Sequence, residues 1–263
     1  TARIAASLGA RVRLLTGLGD DSNSALCRRE LTDWGIDLGP SPVTAGWALP
    51  GTMSQACGTE RAMTTVETPL PVPFPTPDLT GTDVVVTHVP VPAPSWLHEA
   101  AAAGVPVIAD HGFEERPEPG LLEVVSGCTC YTPNAAEAMQ LTGTDDPVHA
   151  ARALAEHVPV VIVTCGGEGI VGADSRTGEQ VQVPAVPITP VNTTGAGDAT
   201  LAGLAWTWGW DVPLVRKLTV AALVGAIVTS RAHGTADPLT VADLFSWVLR
   251  DPGRLGFLTD LLG

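Results

Sequence analysis

Lysine is nearly missing from this chain. Of 263 residues only Lys217 is a lysine, and Lys and Arg together number 14 against 28 Asp and Glu, for a formal net charge of −14. No basic run exists, so the electrostatic footprint that nucleic acid requires is lacking. The acidity, with a pI near 4.6, favours solubility and repulsion from anionic membranes. It leaves acidic substrates open, because the field inside a pocket can differ from the total. No apolar run approaches the 18 or so residues of a membrane span. The opening "TARIAASLGARVRLL" is interrupted by arginines and does not read as a signal peptide. The five cysteines, Cys27, Cys57, Cys128, Cys130 and Cys165, are odd in number, scattered and without a Cys-x-x-Cys pair. They suit a reduced, cytoplasmic chain in which they serve as small buried groups, not a disulfide scaffold. The six histidines show no metal-ligand spacing. No Gly-x-Gly-x-x-Gly opens a first βαβ unit, which argues against a Rossmann dehydrogenase.

What is present is an apolar, heavily punctuated chain. It is 45% hydrophobic with 28 Gly and 23 Pro, and its mean hydropathy is +0.24. That suits one large domain, or a domain with a small appendage, built from many short elements. Residues 2–10 read as the end of a helix, closed by Gly9, 11–19 as a strand, and 22–34 as a helix capped by Ser22. Short Thr- and Met-bearing segments over 43–67 read as an antiparallel β flap, and the proline-rich 68–79 as a stiff extended return. Strands at 82–89, 105–110, 128–132 and 158–167 then alternate with helices at 94–104, 117–126, 133–143 and 147–157. A hairpin follows, then helices near 197–209, 213–230, 240–250 and 254–262. Strands that are apolar throughout and separated by helices predict a mostly parallel sheet covered on both faces. Ligands of such sheets bind at the carboxyl ends of the strands. Asp110, Thr132-Pro133-Asn134, Thr164-Cys165-Gly166 and Gly195–Asp198 are all expected there.

The most informative stretch is "TPVNTTGAGDATLAGLAW", residues 189–206. A helix start exposes unpaired N–H groups and the positive end of the dipole, and glycines let those groups approach an anion. Gly195, Ala196 and Gly197 therefore read as an anion hole for a phosphoryl group. Asp198, the next residue, would sit beside that phosphate. A carboxylate is unfavourable there unless it accepts a proton from a substrate hydroxyl attacking the γ-phosphate. In isolation the same residues also read as a plain turn with an acid in the first turn of a helix.

The stretch is not isolated. "NTTGAGDATLAG" resembles the signature of the ribokinase (PfkB) family of sugar and nucleoside kinases. So, in order, do "TARIAASLGARVRLLTGLGDDSNSALCRRELTDWGID", "GTERAMTT", "TPNAAEAMQLTG", "VIVTCGGEGIVG" and "AALVGAIVTSRAHGTADP". The Gly-Ala-Gly-Asp element is specific, and the others gain weight from their order. The resemblance implies a ribokinase-like α/β fold: a three-layer αβα sandwich with a mostly parallel central sheet and a small β lid. Residues 1–42 and 78–263 would form the α/β domain and 43–77 the lid with its return segment. It implies a kinase using ATP and Mg2+, with Asp198 as general base. Asn134 and Glu137 would help place Mg2+ and phosphate, largely through water. Read from the residues alone they are a helix cap and its capping-box partner. Thr164, Gly166 and Gly169 match the nucleotide strand, or form a turn into a hairpin. Ala232, Gly234 and Thr235 would lie near adenine and ribose. Arg61, in the lid, is either a substrate contact or a solvated arginine, and His111 follows the Asp110 strand end.

Two departures count. The family motif opens with an Asp that in many members helps hold an activating monovalent cation. Asn192 stands there instead, implying a weakened cation site or none. The family's first strand, with a substrate-holding Asp, precedes the point where this sequence starts, so those contacts are not read here. The expected substrate is a small sugar or nucleoside without a phosphate, since Arg61 and Arg116 are the main candidates to hold one. The expected partners are that substrate and, through the exposed strands of the lid, a second copy of the chain. The alternative is a catalytically retired member that binds nucleotide or sugar in a regulatory role.

Overall fold

The computed structural model describes residues 1–57, 60–66, 69, 74–111 and 119–262, without the side chains of 54, 56, 57 and 60–63. Contacts divide the chain into two units, one of Thr1, Arg3–Gly9 and Leu79–Gly263, the other of Ala2 and Ala10–Asp78.

In the smaller unit, α2 (Ser22–Asp33) is capped by the Asp21 side chain, which accepts from the Ser24 amide, and not by Ser22. Asp21 keeps an extended backbone and Ser22 is already helical, so the acid is the residue positioned to cap. The strand expected over 11–19 shrinks to β1 (Leu18–Gly19), paired in parallel with β2 (Val43–Thr44). Upstream, the Leu14 amide bonds the Asp37 carbonyl and the Asp37 amide the Val12 carbonyl. The Thr16 amide then turns to the Ser41 hydroxyl at 3.0 Å, and a side chain ends the ladder. Strands β3 (Gly51–Cys57) and β4 (Glu60–Val66) form an antiparallel ribbon with Gly51 opposite Val66 and Ala56 opposite Arg61.

The larger unit opens with α1 (Ala2–Ser7) and holds a six-stranded sheet. In chain order its elements are β5 (Val85–His88), α3 (Trp96–Ala102), β6 (Val107–Asp110), α4 (Leu121–Ser126), β7 (Cys130–Tyr131) and α5 (Ala135–Thr142). There follow α6 (Pro147–Leu154), β8 (Val160–Thr164), β9 (Ile170–Asp174) and β10 (Glu179–Val183). The helices α7 (Ala196–Thr207), α8 (Leu214–Thr229), α9 (Val241–Val248), α10 (Pro252–Leu255) and α11 (Phe257–Leu262) complete it. Spatial order is β10-β9-β8-β7-β6-β5; β5 to β8 run parallel, and β9 and β10 are antiparallel additions. Strands β6 and β8 start two residues later than expected, after Pro106 and Pro159, which have no N–H to give to a ladder.

The alternation of side chains sorts the strands between two cores. Ala109, Tyr131, Val161 and Val163 face α3, α4, α5 and α6. Ile108, Cys130, Val160 and Ile162 face α7 and α8. Residues 160–163 are each at most 1% exposed, so the run must be apolar on both sides, at roughly 2 kcal/mol of transfer free energy per side chain. Beyond α7 and α8, a third core joins α1 to α9, α10 and α11 through Ile4, Leu8, Val224, Leu244 and Leu258. The result is the expected three-layer αβα sandwich with further helices outside it.

Candidate active site

Helix α7 starts where the motif turns. Gly195, its N-cap, is left-handed at φ 78°, and the Ala196 amide closes a turn on the Thr193 carbonyl at 3.2 Å. A side chain is excluded at Gly195 twice over, by that φ and because a Cβ would lie 2.7 Å from Thr235 Cγ2. Gly197 differs: a Cβ there meets nothing within 4 Å. The first-turn amides have no carbonyl four residues earlier inside the helix and carry the positive end of its dipole.

Asp198 lies in that first turn with its side chain 58% exposed. Its Oδ1 accepts from the Thr1 hydroxyl at 2.6 Å. Desolvation pushes this carboxyl up, and the bond from the Thr1 hydroxyl opposes it.

The parallel strands deliver the remaining acids. Strand β6 ends in Asp110, whose Oδ1 accepts from the His111 amide at 2.9 Å. Beyond β7 the Thr132 hydroxyl donates to the Ala109 carbonyl at 2.9 Å, and Asn134 forms a parallel bridge with Thr164 at the end of β8. Asn134 and Glu137 form a complete capping box on α5: Glu137 Oε2 accepts from the Asn134 amide at 2.8 Å, and Asn134 Oδ1 from the Glu137 amide at 3.0 Å. Glu137 is only 7% exposed, and burial raises its pKa against the opposing bonds from Asn134. Burial also raises Asp110, to about 6, and the Glu137 and Asp198 charges add to that rise. His111, also buried, faces the Tyr131 hydroxyl through Nδ1 at 3.2 Å.

Asp110, Glu137 and Asp198 therefore share one negative electrostatic neighbourhood at the strand ends. Sequence reasoning set Asp110 at a strand end but gave it no role; the available signal was an acid closing an apolar strand. Among the described residues no three His, Cys, Asp or Glu side chains converge to hold a metal ion directly. The surplus of carboxylate charge at the strand ends is compatible with a divalent cation held through phosphate and water and not by these side chains directly.

The other candidate residues fall as follows. Thr164 ends β8, and Gly166 opens a short 3-10 turn. Gly169 is dictated by the hairpin: at φ 108° a Cβ would collide with the Val183 carbonyl and approach Ala185 N to 2.7 Å. Ala232, Gly234 and Thr235 follow α8, and Thr235 abuts Gly195. Asn192 donates to the Ala232 carbonyl at 3.1 Å and accepts from the Thr194 amide at 3.0 Å. Arg61 lies on β4 opposite Ala56, with its side chain outside the described residues, and Arg116 lies outside them altogether.

The profile of the pfkB family of carbohydrate kinases matches residues 81–241 of this chain. The chain belongs to that family. Among its relatives, the bifunctional protein HldE of Caulobacter vibrioides is 30% identical over 168 residues, 61% of this chain and 33% of that protein. The deoxyribokinase of Salmonella typhi is 28% identical over 237 residues, 82% of this chain and 75% of the relative. Thus the chain spans a third of the length of the first relative and three quarters of the second. Among solved structures, an Escherichia coli protein in complex with ATP and Mg2+ superposes with a TM-score of 0.78 at 18% identity, over 94% of this chain and 86% of that one. At that identity the likeness speaks for the fold alone, and the fold is ribokinase-like. No described helix is long and apolar enough to cross a membrane.

Proposed function

We propose that the protein is an ATP-dependent phosphotransferase that moves the γ-phosphate to a hydroxyl of a small sugar or nucleoside. The observation that carries this reading is the position of Asp198: exposed, one residue beyond the Gly195-Ala196-Gly197 turn and within electrostatic reach of Asp110. An acid at the positive end of a helix beside a phosphate cradle has a use as a proton acceptor.

In this mechanism the amides at the start of α7 hold the transferring phosphoryl group, and the dipole opposes its negative charge. Asp198 orients the acceptor hydroxyl and takes its proton as that oxygen bonds to phosphorus and the bond to the ADP oxygen breaks. Mg2+, when bound with ATP, neutralises phosphate charge. Glu137 and Asp110 are the residues that would face it, and Asn134 keeps Glu137 in place through the capping box. Thr164, Gly166, Ala232, Gly234 and Thr235 would border the nucleotide. The name of one relative, deoxyribokinase, supports a sugar as acceptor. Segment 43–77, with its β3–β4 ribbon, would act as the lid, and Arg61 would contact substrate from it. The exposed Met53 and Val66 on that ribbon suit pairing with a second copy; a monomer in sedimentation at micromolar concentration would reject the pairing.

The decisive assay incubates the protein with ATP, Mg2+ and a panel of sugars and nucleosides, beside Asp198→Asn. Loss of the base lowers kcat by roughly a hundredfold or more. Equal turnover by the two proteins would remove Asp198 from its role. The second reading, a retired member that only binds nucleotide or sugar, is favoured by Asn192 at the start of the motif. ATP binding without turnover on any acceptor would select it.

A further inference from the structure

One side chain ties the loop before α7 to the loop after α8. Asn192 Nδ2 donates to the Ala232 carbonyl at 3.1 Å while its Oδ1 accepts from the Thr194 amide at 3.0 Å. The two partners fix which way the amide points, since Thr194 N–H needs an acceptor and the Ala232 carbonyl a donor. The backbone joins the same seam: the Val191 and Asn192 amides both reach the Thr229 carbonyl at the end of α8, at 2.9 and 3.0 Å. Gly234 is pressed against it, for a Cβ there would lie 3.4 Å from Asn192 Nδ2 and 3.3 Å from the Thr194 carbonyl. One residue on, Thr235 meets Gly195, the cap of α7. Asn192 thus sits where the phosphate-side turn is registered against the 229–235 segment.

Only a side chain with both a donor and an acceptor closes this bridge. An aspartate would set its negative oxygens against the Ala232 carbonyl, an arrangement that needs a cation between them. The residues present do not fit such a cation: an N–H group faces the Ala232 carbonyl, and the Asn192 oxygen is engaged by the Thr194 amide. We propose that Asn192 is a positioning residue that registers the Gly195–Gly197 turn against residues 229–235 by hydrogen bonds alone, so that the protein works without a monovalent cation. The proposal rests on the kinase reading above for its consequence in catalysis, and on the two hydrogen bonds for its structural part.

The test compares the protein with Asn192→Asp and Asn192→Ala in KCl, NaCl and tetramethylammonium chloride at equal ionic strength. ADP release and the thermal midpoint of the ligand-free protein are both measured. A displacement of about an ångström at reacting groups costs up to roughly a hundredfold in rate. The unaltered protein should hold its rate within about twofold across the three salts. Asn192→Asp should lose roughly tenfold or more in tetramethylammonium and regain most of it in KCl. Asn192→Ala should be slow in every salt, through kcat more than through the KM for ATP. Strong activation of the unaltered protein by K+, or an Asn192→Asp rate equal to it in tetramethylammonium, would overturn the proposal. If no protein turns over, the kinase reading fails on its own, and the midpoints still decide. KCl raising the midpoint of Asn192→Asp alone supports the bridge, and an identical salt response in all three proteins rejects it.

Discussion

Gly195 and Thr235 are fitted to each other: a Cβ on Gly195 would come within 2.7 Å of the Thr235 methyl, at a backbone φ of 78°. Two residues on, Gly197 borders open space. These neighbours in sequence therefore carry different constraints, and alanine substitutions should separate them. Gly195→Ala forces a left-handed alanine into a methyl group and should destabilise the protein by about 2–3 kcal/mol. Gly197→Ala should leave the thermal midpoint nearly unchanged while impeding the approach of phosphate, raising the KM for ATP and lowering kcat together. A Gly197→Ala protein that is fully active would mean the open space above that residue is not where phosphate lies.

Asp110 should report its environment through pH. Its folded pKa, about 6, stands above the ordinary 3.8, so the fold favours the neutral acid. That contribution is complete below the ordinary value and is lost as pH rises through 6. At neutral pH the charged carboxylate costs on the order of 2 kcal/mol, discounted for its partial exposure. Asp110→Asn keeps an oxygen for the His111 amide and removes the charge. It should therefore be more stable than the parent at pH 8 and nearly equal to it at pH 4. Chemical denaturation at the two pH values measures this, and a gain of the same size at both would show that charge is not the cause.

Gly169 belongs to the hairpin whatever it does for nucleotide. Its φ of 108° and the Val183 carbonyl in the place of a Cβ leave no room for any other residue. Gly169→Ala should cost on the order of 4 kcal/mol and lower soluble yield. Gly166 has nothing within 4 Å of a Cβ but is itself left-handed at φ 54°, so a substitution there tests nucleotide binding at a smaller structural cost, that of the backbone conformation alone. A Gly169→Ala protein as stable as the parent would mean that β9 and β10 pack differently.

The sandwich was legible because its strands carry uninterrupted apolar runs, as at 160–163, where both faces of the sheet are covered. Strand starts were less legible, since Pro106 and Pro159 cut ladders that apolarity alone would have extended. The strand expected at 11–19 failed for a tertiary reason: the Ser41 hydroxyl takes the Thr16 amide, a partner 25 residues away that no local pattern announces. Within the site, Gly195 to Asp198 could be read because a glycine turn running into an acid is a local signal. The bridge made by Asn192 could not, because its partner Ala232 offers only a backbone carbonyl. Nor could the charge coupling of Asp110 with Glu137 and Asp198, which depends on strands that meet only in the folded sheet.

Glu137 combines a structural and an electrostatic part, and two substitutions separate them. Its Oε2 accepts from the Asn134 amide at 2.8 Å, and Asn134 returns the bond at 3.0 Å. Gln at 137 preserves this box, because an amide oxygen accepts as a carboxylate does. It removes a buried charge whose own pKa is raised by burial. Glu137→Gln should then fold at least as well as the parent, bring the Asp110 pKa down toward its ordinary value, and need more Mg2+ for half-maximal turnover. Asn134→Ala breaks the cap and keeps the charge, so it should cost about 1 kcal/mol of stability with a smaller change in Mg2+ demand. Titrating Mg2+ against rate and urea against fluorescence for both proteins decides between the roles. If Glu137→Gln lowers stability as much as Asn134→Ala and leaves the Mg2+ curve in place, then Glu137 serves as a helix cap and contributes no charge to the site.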